Sequence, residues 1–290
     1  MGFSLLKTLS ADAKVVAMAT AAISGIARLS AGRTRLWVTG ADRVSFLQGQ
    51  CTNDVKKLEE GQSCYAAFLT AKGKMRGEGQ IIRLSDAFLL ETNIGLAPSL
   101  EKFIITEDVT IEDVSASWGE WLIIGDIRPA LPDDAITFAH SLGTGVISRQ
   151  TLAPTLSGED LEIVRIEAAA PKWGVEMDEN TIPNEAGLEK RAISYDKGCY
   201  IGQETIARIK TYGHVNRQLV QLTTDGERTA ESGAKILADS REVGHVTSAT
   251  FSMRLGKPVA LGYVRREFAR TGMKLKIDAQ TAEVLRVCGA

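Results

Sequence analysis

The chain has 290 residues, a formal charge of −2, 44% hydrophobic residues and 24% charged residues. These values are typical of a globular protein with one large domain or two to three smaller ones. They give no support to nucleic-acid binding through a basic surface, so we expect no direct nucleic-acid partner.

Cysteine and histidine usage argues against two kinds of structural site. The four cysteines are scattered, none forms Cys-x-x-Cys, and the three histidines are far apart. A structural zinc site and a disulfide scaffold are therefore not expected, and a reducing compartment fits. We predict a cytoplasmic protein without a metal site of its own.

Residues 1–26 are predicted to form an N-terminal extension of unknown role. Lys7 and Lys14 precede a mild, alanine-rich apolar run that is too short to span a bilayer, so no membrane partner is expected. A signal peptide is a weak interpretation because Asp12 interrupts the basic region. The other interpretation is an upstream extension, with Met18 as an alternative start.

The first half of the chain mixes strands and helices without a regular repeat. Strands are predicted at 33–39, 63–70, 75–84, 87–92, 109–114 and 121–124, and helices at 41–48 and 96–105. The second and third of these strands flank a turn and are predicted to form a hairpin. Residues 129–134 and 141–145 are turn-rich, and this region gives no clear element. This irregular mixture favours an α+β fold, and the glycine-rich phosphate-binding signatures are absent.

The second half begins with a predicted strand at 161–167, whose side chains alternate between two faces. After residue 213, short strands are predicted at 217–223, 244–250, 259–265, 274–277 and 283–287, which favours a small antiparallel β-barrel. We therefore divide the chain into the extension at 1–26, an α+β region of two interleaved subdomains at 27–212, and a barrel at 213–290.

The most distinctive stretch joins a turn at 197–202 to a short helix at 203–211. Gly198 and Gly202 allow positive φ, so the backbone can bend sharply and approach a ligand. On the helix, Glu204 and Arg208 have the spacing of an ion pair.

Cys199 precedes this helix and lies beside Lys197 in sequence, with Arg208 further along. Positive charge stabilises a thiolate and lowers the thiol pKa. The alternative is a small apolar residue that fills a turn. The basic neighbours and flanking glycines favour a functional thiol.

Lys-Gly-Cys-Tyr-Ile-Gly-Gln-Glu at 197–204, followed by Thr-Ile-Ala-Arg, resembles the signature of the YgfZ-type folate-binding proteins. These are relatives of the glycine-cleavage T-protein, an aminomethyltransferase. The resemblance runs from residue 36 to the end. It implies a T-protein-like ring of subdomains around a central folate cavity, with tetrahydrofolate or a related folate as the cofactor. It also implies a role in iron–sulfur cluster assembly or repair in client enzymes, including some that modify tRNA.

The resemblance also carries roles to single residues. Glu167, in Arg-x-Glu-Ala, matches a glutamate that binds the pterin ring, where a carboxylate accepts two parallel N–H bonds; a solvated edge carboxylate is the alternative. Trp173 would pack nearby, and Arg208 would meet an acidic part of folate. Residues 46–55 resemble the T-protein segment near the folate cavity. The predicted site is completed by the folate-binding residues Asn53, Tyr200 and Gln203, and by the functional pair Cys199 and Lys197.

Three functions stay open, and with them whether the chain is an enzyme. The favoured one is a helper that engages folate and iron–sulfur client or assembly proteins through Cys199, since a single thiolate cannot hold a cluster that needs about four ligands. The second is a folate-dependent aminomethyl or one-carbon transferase, for which the segment at 75–78 offers only Glu78 as the acidic residue. The third is a hydrolase that pairs Cys199 with His214 or His245, although nothing in the sequence orients either ring.

Overall fold

A computed structural model of the chain describes residues 23–29 and 32–289. The part of the predicted extension at 1–22 lies outside the described residues. Within the described part, three β-sheet units are joined by short helices, as expected for an α+β fold. None of the helices in these residues is both long and apolar enough to cross a membrane.

Strands make up most of the regular structure in the described residues. In chain order, the strands are β1 (Gly25–Leu29), β2 (Arg33–Thr39), β3 (Ser63–Leu69), β4 (Met75–Arg83), β5 (Phe88–Asn93), β6 (Thr110–Asp113), β7 (Gly119–Ile124), β8 (Ile136–His140), β9 (Gly143–Ser148), β10 (Arg217–Thr224), β11 (Lys235–Ala238), β12 (Arg241–Ser252), β13 (Lys257–Arg265), β14 (Lys274–Ile277) and β15 (Gln280–Val287). The α-helices are α1 (Arg43–Gln50), α2 (Leu96–Glu101), α3 (Gly158–Glu167), α4 (Glu189–Ala192) and α5 (Gln203–Tyr212), with 3₁₀ turns at Val55–Lys57 and Arg266–Phe268.

The first sheet has the strand order β3-β4-β5-β2-β6, and every pair in it is antiparallel. The predicted hairpin is confirmed as β3 and β4. One face of this sheet forms an apolar core with α1 and α2, in which Leu36, Leu47 and Phe88 are fully buried. Burial of side chains of this size contributes roughly 1.5–3 kcal/mol each.

The second sheet has the order β1-β7-β9-β8. Its strands β8 and β9 come from the region around the two turn-rich stretches, in which no element was predicted. Ile147 and Phe138 of this sheet pack against Ile82 and Leu89 of the first sheet. The two sheets therefore share an apolar layer, and polar side chains on the same faces are brought between them.

The predicted C-terminal barrel is confirmed. Its six strands close in the order β10-β13-β12-β11-β14-β15, all antiparallel. Val220, Val246 and Val284 are fully buried in its interior. The strand β11 was not predicted. Gly213 ends α5 with a φ of 80°, close to where we placed the boundary.

The strand predicted at 161–167 is wrong, because these residues belong to α3. Ser157 caps the helix: its Oγ accepts a hydrogen bond from the Asp160 amide at 3.1 Å, and the Asp160 carboxylate accepts one from the Ser157 amide at 2.8 Å. This reciprocal capping box is a helix start signal that lies just ahead of the segment we read as a strand.

Helix α3 also has the apolar spacing of a helix. Leu161, Val164 and Ala168 pack toward the second sheet, while Ile166 and Ala169 pack against the barrel. One helix is therefore held between two sheet units. The alternation of seven residues was too short a window to separate a strand from such a helix.

Candidate functional site

The turn at 197–202 packs against the end of α1 and the hairpin. The Ile201 amide donates a hydrogen bond to the Gly49 carbonyl at 3.1 Å. Gly202 has a φ of 86°, and a Cβ there would approach the Thr70 carbonyl oxygen to 2.6 Å. Only glycine satisfies both the conformation and the space. Gly198 is not in the positive-φ region, so the sharp bend rests on Gly202 alone.

Lys197 anchors this turn. It is 6% exposed, and its ammonium donates hydrogen bonds to the carbonyl oxygens of Gln48 at 2.8 Å, Cys51 at 2.7 Å and Asn53 at 2.7 Å. Three bonds use every N–H of an ammonium group. Burial lowers the pKa of Lys197. We expected this charge to serve the Cys199 thiol; that expectation is corrected, because the ammonium binds the carbonyl groups that follow α1.

Cys199 is the exposed thiol among the four cysteines. Cys51 and Cys288 are buried and Cys64 is partly buried. Burial raises the pKa of the Cys51 and Cys64 thiols, and it raises the pKa of Cys288 to about 12. These three thiols stay protonated at neutral pH and are poor nucleophiles. Chemistry that needs an accessible sulfur therefore falls to Cys199.

The remaining residues of the motif divide between surface and core. Arg208 and Glu204 form the predicted ion pair at 2.8 Å, and both side chains are largely exposed. Gln203 begins α5 and is half-buried. Tyr200 is 8% exposed, and burial raises its pKa to about 12. It belongs to the same apolar cluster as Trp173.

Asn53 fastens the loop that follows α1. Its amide nitrogen donates to the Tyr65 carbonyl at 2.8 Å and to the Arg191 carbonyl at 3.2 Å. Its amide oxygen accepts from the Asp54 amide at 2.9 Å. Both N–H donors of the side chain are thus committed within the protein, which indicates that Asn53 positions the loop.

Glu167 ends α3 and is 5% exposed, so the alternative of a solvated edge carboxylate is wrong. Its carboxylate accepts a hydrogen bond from the Ser252 hydroxyl and lies 3.6 Å from Arg254 Nε. Its backbone carbonyl accepts hydrogen bonds from Gln221 at 3.0 Å and Arg286 at 2.7 Å. These donors offset the unfavourable position of a carboxylate at a helix C-terminus.

The structure therefore brings together part of the predicted site. Lys197 contacts Asn53 through its carbonyl, and Lys197 Nζ lies 5.1 Å from the centre of the Tyr200 ring. Within the described residues, no hydrogen bond or ion pair joins Glu167 or Arg208 to the three residues Lys197, Asn53 and Tyr200. His214 lies 2.9 Å from the Tyr212 carbonyl, and His245 packs beside a barrel tyrosine. In the same part of the chain, no hydrogen bond joins either histidine to the thiol, which leaves the hydrolase without a dyad.

A buried charged cluster between the two sheets was not predicted. The Arg33 guanidinium pairs with the carboxylates of Glu78 and Glu91, which are 4% and 3% exposed. Glu120 lies nearby, 3.9 Å from Arg35. Buried ion pairs of this kind are seldom retained for stability alone, because desolvation consumes the electrostatic gain. The signal in the sequence was the placement of charged residues at inward positions of strands β2, β4, β5 and β7.

The same cluster continues toward α4 and β8. Arg191 stacks over the Tyr65 ring, with its guanidinium carbon 3.8 Å from the ring centre. Burial and Glu78 raise the pKa of the Tyr65 phenol. The Arg33 side chain keeps 20% of its surface exposed although its partners are buried. The cluster therefore borders open space, and it is a candidate wall for a ligand cavity.

His140 provides a pH test of this cluster. Burial, followed by Arg191 and Arg33, lowers its pKa from 6.5 to about 3, and its Nδ1 accepts a hydrogen bond from the Leu142 amide at 3.1 Å. The unfolded chain takes up a proton as the pH falls below 6.5, but the folded chain does not. Stability is therefore complete above pH 6.5 and decreases toward pH 3.

We expect the free energy of unfolding to fall by about 1–2 kcal/mol more between pH 7 and pH 5 in the wild type than in His140→Gln. Glutamine keeps an acceptor for the Leu142 amide but does not titrate. Urea unfolding at the two pH values measures the difference. Equal losses in both proteins would show that His140 is protonated in the folded state.

Comparison with known proteins agrees with this architecture. The chain matches the family model described as the GCVT N-terminal domain at residues 20–126, and that of the glycine cleavage T-protein C-terminal barrel domain at 217–287. An uncharacterized protein of Haemophilus influenzae is 31% identical over 228 residues, which cover 73% of this chain and 80% of that protein.

Two enzymes give further matches. An aminomethyltransferase of Nostoc sp. is 40% identical over 117 residues, but the match spans only 31% of that enzyme. The crystal structure of the glycine cleavage system aminomethyltransferase T from Bartonella henselae has a TM-score of 0.77 at 19% identity, covering 94% of this chain and 88% of that one. The chain belongs to the glycine-cleavage T-protein-like family, and the predicted family and T-protein fold are confirmed.

Proposed function

We propose that this chain is a tetrahydrofolate-binding protein that assists the assembly or repair of iron–sulfur clusters in client enzymes, including tRNA-modifying ones. It acts in the cytoplasm through Cys199. The observation that carries the proposal is the exposure of this single thiol on a turn that Lys197 anchors to the carbonyl groups at the end of α1. A thiol presented in this way can reach a cluster or a thiol on another protein.

Folate binding is supported by the family and by the chemistry of the interior. Aminomethyltransferases of this family use tetrahydrofolate. A carboxylate offers about four lone-pair sites, and Glu167 uses one for Ser252 and directs another toward Arg254. The acceptor sites that remain suit the adjacent N–H groups of a pterin ring. The charged cluster around Arg33 and Glu78 would form another part of the cavity wall.

A transient role for Cys199 follows from the number of ligands. One thiolate is too few to hold an iron–sulfur cluster, which ordinarily takes about four protein ligands. The three other thiols are buried or partly buried and protonated. Purified protein that carries stoichiometric iron and sulfide would contradict this part of the proposal.

Cys199→Ala is expected to abolish support of the client enzymes while tetrahydrofolate binding and stability stay within experimental error. An exposed position of this kind usually changes the free energy of unfolding by less than about 0.5 kcal/mol. The measurement is the activity of an iron–sulfur tRNA-modifying enzyme in cells that lack the protein and receive either variant.

Cys64→Ala is the matched control, because it removes a partly buried thiol whose pKa is raised. It should restore client activity as the wild type does. Full restoration by Cys199→Ala would refute the assignment of the thiol, whatever the result for folate.

A folate-dependent aminomethyl or one-carbon transferase is the second candidate. The fold and the enzymes among the relatives favour it. It requires a carboxylate free to act at the folate nitrogen, and Glu78 is instead bound to Arg33. Direct assay of one-carbon transfer to tetrahydrofolate decides between the two. Turnover by the wild type that disappears in Glu78→Gln would establish the transferase.

A further inference from the structure

A polar cavity of about 160 Å³ lies at one end of the two sheets, apart from the turn at 197–202. It is lined by the ends of β1 and β7, by Arg35 of β2 and by the segments at 115–118 and 149–151. Three arginines contribute to its lining: Arg28, Arg35 and Arg149.

The positive charge of this lining is only partly balanced. Arg28 is exposed and has no ion pair among the described residues. Arg149 pairs with Asp134 at 3.3 Å and stacks over Trp118 at 5.0 Å. The one carboxyl group in the lining is that of Glu120, which lies 3.9 Å from Arg35 Nη1, and burial raises the pKa of this carboxyl group well above the usual range. The lining therefore holds three guanidinium groups against a single carboxyl group.

Unsatisfied polar atoms are concentrated in the same lining. In the described part of the chain, eight buried side-chain nitrogen or oxygen atoms have no hydrogen-bond partner. Four of the eight belong to three lining residues: Nε of Arg35, both carboxyl oxygens of Glu120, and Nε1 of Trp121. An unpaired buried polar atom is energetically unfavourable, so a native protein normally pairs it with protein, water or an ion.

We propose that this cavity is a binding site for a small oxyanion of the size of phosphate. Its oxygens would accept N–H bonds from Arg28, Arg35 and Arg149, for which the planar guanidinium is well suited. Inorganic phosphate and a phosphorylated small molecule share this chemistry. The proposal does not rest on the proposed folate and thiol functions, although Arg35 and Glu120 also border the charged cluster around Arg33.

The test is a calorimetric titration of inorganic phosphate into the full chain at low ionic strength, at a pH near 7. We expect one saturable site in the wild type and binding at least about tenfold weaker in the double variant Arg28→Ala/Arg149→Ala. Both side chains are exposed, so the double variant should fold normally. Thermal unfolding without phosphate checks this directly.

The matched control is Arg228→Ala/Arg241→Ala, which removes two exposed arginines from the barrel. It should bind phosphate as the wild type does. If a non-hydrolysable phosphate monoester binds more tightly than inorganic phosphate, the ligand of the site is a phosphorylated small molecule and not free phosphate. Absence of saturable binding to the wild type, or equal affinities in the wild type and the Arg28/Arg149 variant, would show that the cavity holds only water.

Discussion

Lys197→Met is expected to lower the free energy of unfolding by about 3–5 kcal/mol. Methionine fills a similar volume but has no N–H donor, so the carbonyl oxygens of Gln48, Cys51 and Asn53 would all lose their partner inside the protein. The loss is large because Lys197 is 6% exposed, so water has little access to these three carbonyl oxygens.

Urea unfolding measures this change in the free energy of unfolding. The slope of free energy against urea concentration should be the same in both proteins if unfolding stays two-state. Lys210→Met is the control, because Lys210 pairs with Glu189 at 3.3 Å on the surface of α5 and should contribute less than about 1 kcal/mol. A change below about 1 kcal/mol for Lys197→Met would mean that the anchor of the turn lies elsewhere.

Glu167→Gln is expected to weaken tetrahydrofolate binding by roughly 30- to 160-fold, or about 2–3 kcal/mol. The amide keeps the shape of the side chain and can still accept from Ser252. It cannot accept two parallel N–H bonds from a pterin, because one of its two end groups has become a donor. The loss of charge also removes the ion pair with Arg254.

Glu231→Gln controls for a general effect of charge, since Glu231 is exposed, pairs with the exposed Arg228 and should leave folate affinity unchanged. The folded fraction of both variants, from circular dichroism, separates lost binding from lost structure. Equal affinities for Glu167→Gln and the wild type would remove Glu167 from the site without bearing on the role of Cys199.

Local patterns predicted much of the fold. The β3–β4 hairpin, the strands β2 and β5, and helix α5 were predicted from periodicity and turn residues within a few positions of each. The barrel was predicted from regularly spaced short strands. In each case the signal, a period of apolar residues or a turn sequence, lies within the element or directly beside it.

Tertiary contacts explain the elements that local patterns missed. Strands β8 and β9 gain their stability from packing of Ile147 and Phe138 on the other sheet, which no local pattern reveals. The strand wrongly assigned at 161–167 was a helix whose start signal, Ser157 with Asp160, lay outside the window. Helix α3 then places Glu167 against the barrel, where Ser252 and Arg254 meet it.

The sequence also did not predict the direction in which a side chain points. Lys197 is two positions from Cys199, yet its ammonium is directed to carbonyl groups almost 150 positions earlier in the chain. The cluster of Arg33, Glu78 and Glu91 likewise depends on the register of three antiparallel strands. Motif residues were thus found from the sequence, whereas their partners required the structure.

Folate binding that does not involve the exposed thiol is tested by calorimetric titration of tetrahydrofolate into the wild type and Cys199→Ala under reducing conditions. We predict one folate per chain and the same affinity in both proteins, because the thiol serves a partner and not the folate. If tetrahydrofolate does not bind to the wild type, the proposal that this chain is a folate-binding protein is contradicted.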